Sequence, residues 1–193
     1  MMSAVNALFN HPGLRSLLVR LRIPIAIAIA AAVLAYADAR WLWPALAVSM
    51  AGELIQLWCF ATLDKNASLA CRGPYAIVRN PMYLGRFFIL GGALMLLGQP
   101  WLLVLYAVVY WFYMVNRVGR EEQRLREVLG APYADYCAGT RRFLPGAPYR
   151  GEPVLVWDGA LFRQNHGWQN FAGTAAFWIA AVAWLATRAG GAG

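Results

Sequence analysis

Between Ile23 and Thr187 the chain carries five apolar runs, at about 23–38, 41–63, 82–98, 101–116 and 171–187. A helix needs about 20 residues to cross a bilayer untilted, so the longer runs suffice and the shorter ones lean on flanking residues that snorkel. Backbone inside hydrocarbon must satisfy its own hydrogen bonds, which leaves helices as the form for such runs. Composition agrees: 61% of the 193 residues are hydrophobic and only 13% are charged, whereas a soluble domain has about a quarter charged. The expected fold is all-α, a polytopic integral membrane bundle of about five transmembrane helices with amphipathic helices on the cytoplasmic side, in one domain spanning 1–193. Residues 3–20 read as a short interfacial segment that is retained, because no cleavage pattern closes the apolar stretch after it.

The net charge of +8 could suggest nucleic acid, but the arginines alternate with apolar runs. Their anionic neighbour is expected to be the membrane surface. Placing the N-terminus, the 64–86 loop and the 116–166 segment on one side collects fifteen of the seventeen Lys and Arg residues there, leaving Arg40 and Arg188 opposite. The positive-inside rule then puts the N-terminus and both polar segments in the cytoplasm, with the chain in a cytoplasmic (inner) membrane. Cys59, Cys71 and Cys137 have no metal-ligand spacing and read as ordinary thiols, and no metal is expected.

Two polar segments, 72–86 and 117–145, interrupt this pattern. In the first, Gly73-Pro74 marks a turn and Asn80-Pro81 a helix start, with Asn80 as N-cap and Pro81 at the first helical position. In the second, helical spacing puts Arg117, Arg120, Arg124 and Glu127 on one face and Glu121 and Glu122 on the other, beside Val118 and Leu125. Gly130 and Pro132 should end that helix. The third and fourth runs are joined by only Gln99-Pro100, which makes them an antiparallel hairpin. Gly85 and Gly92 lie seven apart and allow a helix or a ligand to approach closely. Glu53 lies inside the second run, where a carboxylate costs about 3 kcal/mol and should face other helices or a polar cavity.

Both polar segments thus emerge at one face, each next to one arm of the hairpin. Together they bring arginines, Glu121 and Glu122, and the aromatics Tyr75, Tyr83, Tyr133 and Tyr136. Such a set suits a ligand with both a carboxylate and an ammonium. Read singly, the same residues have plainer uses: Glu122 and Arg126 are spaced as a surface pair, and Trp41, Trp43, Trp101, Trp157 and Trp168 as aromatic-belt anchors.

Gly73-Pro74-Tyr75, Arg79-Asn80-Pro81-x-Tyr83-x-Gly85, Glu121-Glu122-x-x-Leu125, Gly130-x-x-Tyr133-x-x-Tyr136 and Arg141 to Pro145 form an ordered string. It resembles the isoprenylcysteine carboxyl methyltransferase and phospholipid methyltransferase superfamily of integral membrane enzymes. The resemblance implies a bundle whose C-terminal half wraps S-adenosylmethionine while a lipid or hydrophobic small-molecule acceptor enters from the bilayer. It further implies that Glu121 and Glu122 hold the donor's ammonium or ribose, and that Arg79 and the amides near Asn80 and Pro81 meet its carboxylate. Tyr75, Tyr83, Gly85, Tyr133 and Tyr136 then line the donor site, and Arg141 orients the acceptor beside Arg79 and Asn80. The family usually has histidine where Asn80 stands; Asn80 cannot titrate near neutral pH, so a proton-transfer role there does not carry over. Phospholipid amine N-methylation and carboxyl O-methylation both stay open, as does a non-catalytic transporter or lipid-binding protein.

Overall fold

The computed structural model describes residues 12–64 and 69–190. Residues 3–11 of the expected interfacial segment, Lys65 and the terminal Gly191–Gly193 lie outside them. Among the described residues there are eight α-helices and no strand: α1 (Pro12–Ala35), α2 (Leu42–Phe60), α3 (Pro74–Ile77), α4 (Pro81–Met95), α5 (Pro100–Leu129), α6 (Ala131–Gly139), α7 (Gly159–Gln164) and α8 (Gly167–Gly190). The all-helical class expected from the apolar runs is what the chain adopts.

Among the described residues three stretches are long and apolar enough to cross a membrane: Ala39–Phe60, Pro100–Leu129 and Gly167–Gly190. The third apolar run, expected over 82–98, forms the shorter α4 of 15 residues, about 22 Å at 1.5 Å per residue against a hydrocarbon core of about 30 Å. The first run is helical only to Ala35, within α1, which starts at Pro12 and runs on through Pro24, so no break separates residues 12–20 of the expected interfacial segment from it. Ile23, Ile25, Ile27 and Ile29 all face outward from this helix, as suits lipid contact.

Helix α2 is the centre of the bundle, packed on α4 and α8. Its contact with α4 depends on missing side chains. A Cβ on Gly52 would lie 2.5 Å from the Gly85 carbonyl oxygen, and one on Gly92 would lie 2.6 Å from that of Ala45. Close approach of backbones is how membrane helices gain packing where lipid already solvates their apolar faces. On its other side α2 meets α8 through polar groups. Glu53, 1% exposed, accepts hydrogen bonds from Asn170 Nδ2 (2.9 Å) and Thr174 Oγ1 (2.8 Å). One turn away Trp178 Nε1 donates to Ser49 Oγ (2.9 Å), which donates to the Ile89 carbonyl of α4 (3.2 Å). The buried carboxylate therefore faces other helices.

Two turns differ from expectation. The link between α4 and α5 is Leu96–Gln99, with Pro100 already the first residue of α5 and Gly98 at φ +61°. Helix α5 then continues for 30 residues without a break where its sequence turns polar at 116. Loss of apolar character does not end a helix; Gly130, at φ +60°, does, as the sequence led one to expect. The segment after α6, whose many Gly and Pro residues read as loop from 146 to 167, holds a 3₁₀ turn at Tyr149–Gly151 and the short α7, whose Asp158 cap accepts from the amides of Ala160 and Leu161.

Candidate functional site

The first polar segment is held from outside by the segment that follows α6. Gly73, at φ +62°, donates its amide to the Pro153 carbonyl (2.9 Å) and packs so closely on Thr62 that a Cβ would lie 2.5 Å from its methyl. After the single turn of α3, the Arg79 amide donates to the Arg141 carbonyl (2.9 Å) and the Gly146 amide to that of Ile77 (2.8 Å). Tyr136 OH donates to the Tyr75 carbonyl (2.6 Å). These bonds place the N-terminus of α4 against the polar half of α5 and against α6.

Between them lies a cavity of about 350 Å³, within the range of about 300–1,000 Å³ usual for small-molecule sites. Tyr75, Arg79, Asn80, Tyr83, Glu121, Glu122, Tyr133 and Tyr136 line it, with Leu63, Leu69, Leu125 and Leu129 as apolar wall. So the two polar segments do converge on one hollow.

Glu122 is the electrostatic centre. It is 3% exposed, with Arg79 Nε 3.3 Å from its Oε1. Arg142 approaches its Oε2 with Nη2 and with Nε, the latter at 3.1 Å. Arg79 contributes charge more than a directed bond at that nitrogen, because its Nε has no partner in hydrogen-bonding geometry; its Nη1 donates to the Cys137 carbonyl (2.9 Å). Asn80 Nδ2 donates to the Arg142 carbonyl (3.2 Å) and at 3.5 Å to Glu122. Two guanidinium groups thus flank one buried carboxylate, and Glu121 adds a second carboxylate to the same cavity. The hydrogen bond to Glu122 raises the Arg142 pKa further. Burial pushes the Tyr75, Tyr133 and Tyr136 phenols up, so all three are neutral at physiological pH.

Glu121 is placed differently from its neighbour. Consecutive helical residues point about 100° apart, and Glu121 is exposed at the cavity, accepting from Tyr83 OH at 3.0 Å. Tyr83 is itself anchored, its carbonyl accepting from Tyr110 OH at 2.7 Å. Glu121 thus keeps carboxylate capacity for a ligand, whereas both oxygens of Glu122 are engaged.

Three sequence-selected residues are not among those lining the cavity. Pro81 is buried at the start of α4, Gly85 lies against α2, and the Arg141 side chain is exposed, with its Cδ near Gly146. Asn80 stands at the N-cap position, yet its side chain makes no capping bond, because it is directed to Arg142 and Glu122. Sequence reasoning passed over Arg142. Its position beside Arg141 was visible, but α6 ends at Gly139, and beyond a helix no periodicity says which of two adjacent arginines turns inward.

A second cavity, of about 240 Å³, opens between α4 and α5 and is lined by Leu84, Phe87, Ala107, Tyr110, Trp111, Met114, Phe143, Leu144 and Asn80. Asn80 is the residue that the two cavities share. A polar hollow and an apolar one therefore meet across a single amide side chain.

The sequence profile described as phospholipid methyltransferase matches residues 26–131. The chain is 29% identical over 86 residues to protein-S-isoprenylcysteine O-methyltransferase B of Arabidopsis thaliana, an alignment covering 45% of this chain and 42% of that protein. It is 32% identical over 90 residues to the protein-S-isoprenylcysteine O-methyltransferase of Schizosaccharomyces pombe (47% and 38% covered). The protein of that name from Saccharomyces cerevisiae is 38% identical over 91 residues (47% and 38%). In these alignments the chain spans about two fifths of its relatives' length. No solved structure matches it.

Proposed function

This multi-pass membrane protein belongs to the phospholipid methyltransferase family, and from that premise we propose that it methylates a lipid or hydrophobic small molecule with S-adenosylmethionine as donor. The observation that carries this reading is the meeting of the two cavities at Asn80. One has the charges for a zwitterion and the other has room for an apolar acceptor reached from the bilayer.

The residues of the polar cavity fit the donor. Glu121 offers a carboxylate to its ammonium or ribose hydroxyls, and Arg79 carries the charge for its carboxylate. Tyr83, Tyr133 and Tyr136 present neutral rings, and a cation over such a ring gains about 0.5–2 kcal/mol. S-adenosylmethionine supplies a methyl group already activated by its sulfonium charge. The protein's task is then to align, to exclude water and to hold charge where it is needed. Glu122, between Arg79 and Arg142, fixes the geometry of the wall and of Asn80 through the bonds described above. Asn80, its amide hydrogens directed to the Arg142 carbonyl and Glu122, stands as a fixed, non-titrating wall between donor and acceptor.

Acceptor chemistry follows from the same groups. Asn80 takes no proton near neutral pH, and Glu122 is held between two cations. The junction favours an acceptor atom that arrives unprotonated, as a carboxylate oxygen does. The names of the relatives, which are O-methyltransferases, support the same choice. A cytoplasmic position for the donor cavity is supported by the arginine distribution.

The test is methyl transfer by the purified protein from labelled S-adenosylmethionine into a membrane lipid extract and into a prenylated cysteine with a free carboxyl. Base-labile label in the second acceptor is expected. Label in neither, from folded protein that binds the donor, would overturn the acceptor assignment.

A further inference from the structure

The polar half of α5 carries more than the cavity wall. Arg117, Arg120 and Arg124 are all exposed, and at helical spacing they share one face. That face is turned more than a third of the way round the helix from the one bearing Leu125 and Glu122. Arg86 of α4, also exposed, adds a fourth charge beside them, over the ring of Tyr83 at 5.9 Å. None of the ion pairs among the described residues includes any of these four arginines. Arg117 reaches the Tyr83 phenol that also donates to Glu121, so this arginine is partly engaged at the cavity edge, whereas Glu127, the acid on the face of Arg120 and Arg124, accepts from Gln123 Nε2 at 3.2 Å.

The height of this stripe can be read from the helix itself. α5 is continuous from Pro100, and the 20 residues to Gly119 measure about 30 Å, the thickness of a hydrocarbon core. Arg117, Arg120 and Arg124 therefore leave the apolar layer where lipid phosphates lie. A free anion or an acidic protein could be drawn to the same charge, but a stripe rigidly continuous with a membrane span faces lipid headgroups at all times.

We infer that Arg86, Arg117, Arg120 and Arg124 form a binding surface for the phosphate groups of anionic phospholipids, beside the entrance between α4 and α5. Clustered basic residues at the end of a span gain about 1 kcal/mol each from an anionic leaflet, or about fivefold per residue. The site is independent of the methyl-transfer reading, and Arg120 and Arg124 are not among the residues that line either cavity.

The experiment places the full-length protein in nanodiscs of phosphatidylcholine with phosphatidylglycerol and counts retained lipids by native mass spectrometry. The wild type is expected to retain phosphatidylglycerol in excess over its share of the bilayer. The double variant Arg120→Gln/Arg124→Gln should lose most of that excess, at least fivefold in retention, while Arg120→Lys/Arg124→Lys keeps the greater part. All three should melt together and bind S-adenosylhomocysteine alike, which separates a lost lipid site from a lost fold or donor site. An excess shared equally by all three proteins would overturn the assignment, as would equal loss in the Gln and Lys variants.

Discussion

Arg142 reaches back 20 residues to grip Glu122 from one side while Arg79 stands 3.3 Å away on the other. The three come from separate elements: the N-terminal approach to α4, the polar half of α5, and the chain after α6. Their meeting joins these elements at the wall of the polar cavity.

Glu122 should therefore be the least replaceable residue of the site. Glu122→Gln leaves Arg79, whose side chain is 12% exposed, buried beside a neutral amide, and stranding a buried charge costs about 3–5 kcal/mol. Arg142 is 37% exposed, so Arg142→Ala should cost less, about 1–2 kcal/mol once solvent screening is allowed for. Thermal or urea unfolding in detergent checks the order. Equal and small losses for both would mean that Glu122 is not the centre of the cluster.

Filling the apolar cavity should separate transfer from binding. Ala107 lines that cavity and not the polar one. Ala107→Trp should reduce methyl transfer at least tenfold and leave S-adenosylhomocysteine affinity within about twofold, a change below 0.5 kcal/mol. Parallel transfer assays and titrations read the two effects. Unchanged transfer would remove the acceptor from this cavity.

Gly85 should behave as a packing residue. A Cβ there would lie 2.9 Å from the Gly52 carbonyl oxygen and 2.9 Å from Gln56 Cγ, and overpacking of this kind costs about 1–3 kcal/mol. Gly85→Ala is expected to lower the melting temperature while the folded fraction keeps wild-type affinity for S-adenosylhomocysteine. A stable variant with lost affinity would return Gly85 to the donor site.

Apolar periodicity and the ordered motif string were enough to foresee a helical membrane bundle and most of the cavity wall. Tyr75, Tyr133 and Tyr136 could be placed together because a motif preserves spacing across elements. What local pattern could not reach was set by tertiary partners. Glu53 reads as a buried carboxylate, but Asn170 and Thr174 lie more than a hundred residues away. Asn80 has the sequence of a cap, and the nearby Arg142 carbonyl takes its side chain instead. Glu121 and Glu122 share a helix face at the coarse level of periodicity. Only the positions of Tyr83 on one side and of Arg79 and Arg142 on the other divide them. The 30-residue α5 joins an apolar run and a polar segment that composition describes separately.

The central claim is that the polar cavity binds S-adenosylmethionine through Glu121. The most direct measurement is calorimetric titration of the purified protein with S-adenosylhomocysteine, alongside Glu121→Ala. Saturable one-to-one binding is expected, weakened at least thirtyfold, or about 2 kcal/mol, in a variant whose melting temperature is unchanged, because Glu121 is exposed and carries no buried ion pair. Absence of binding by folded wild-type protein, or equal binding by both, would contradict the account.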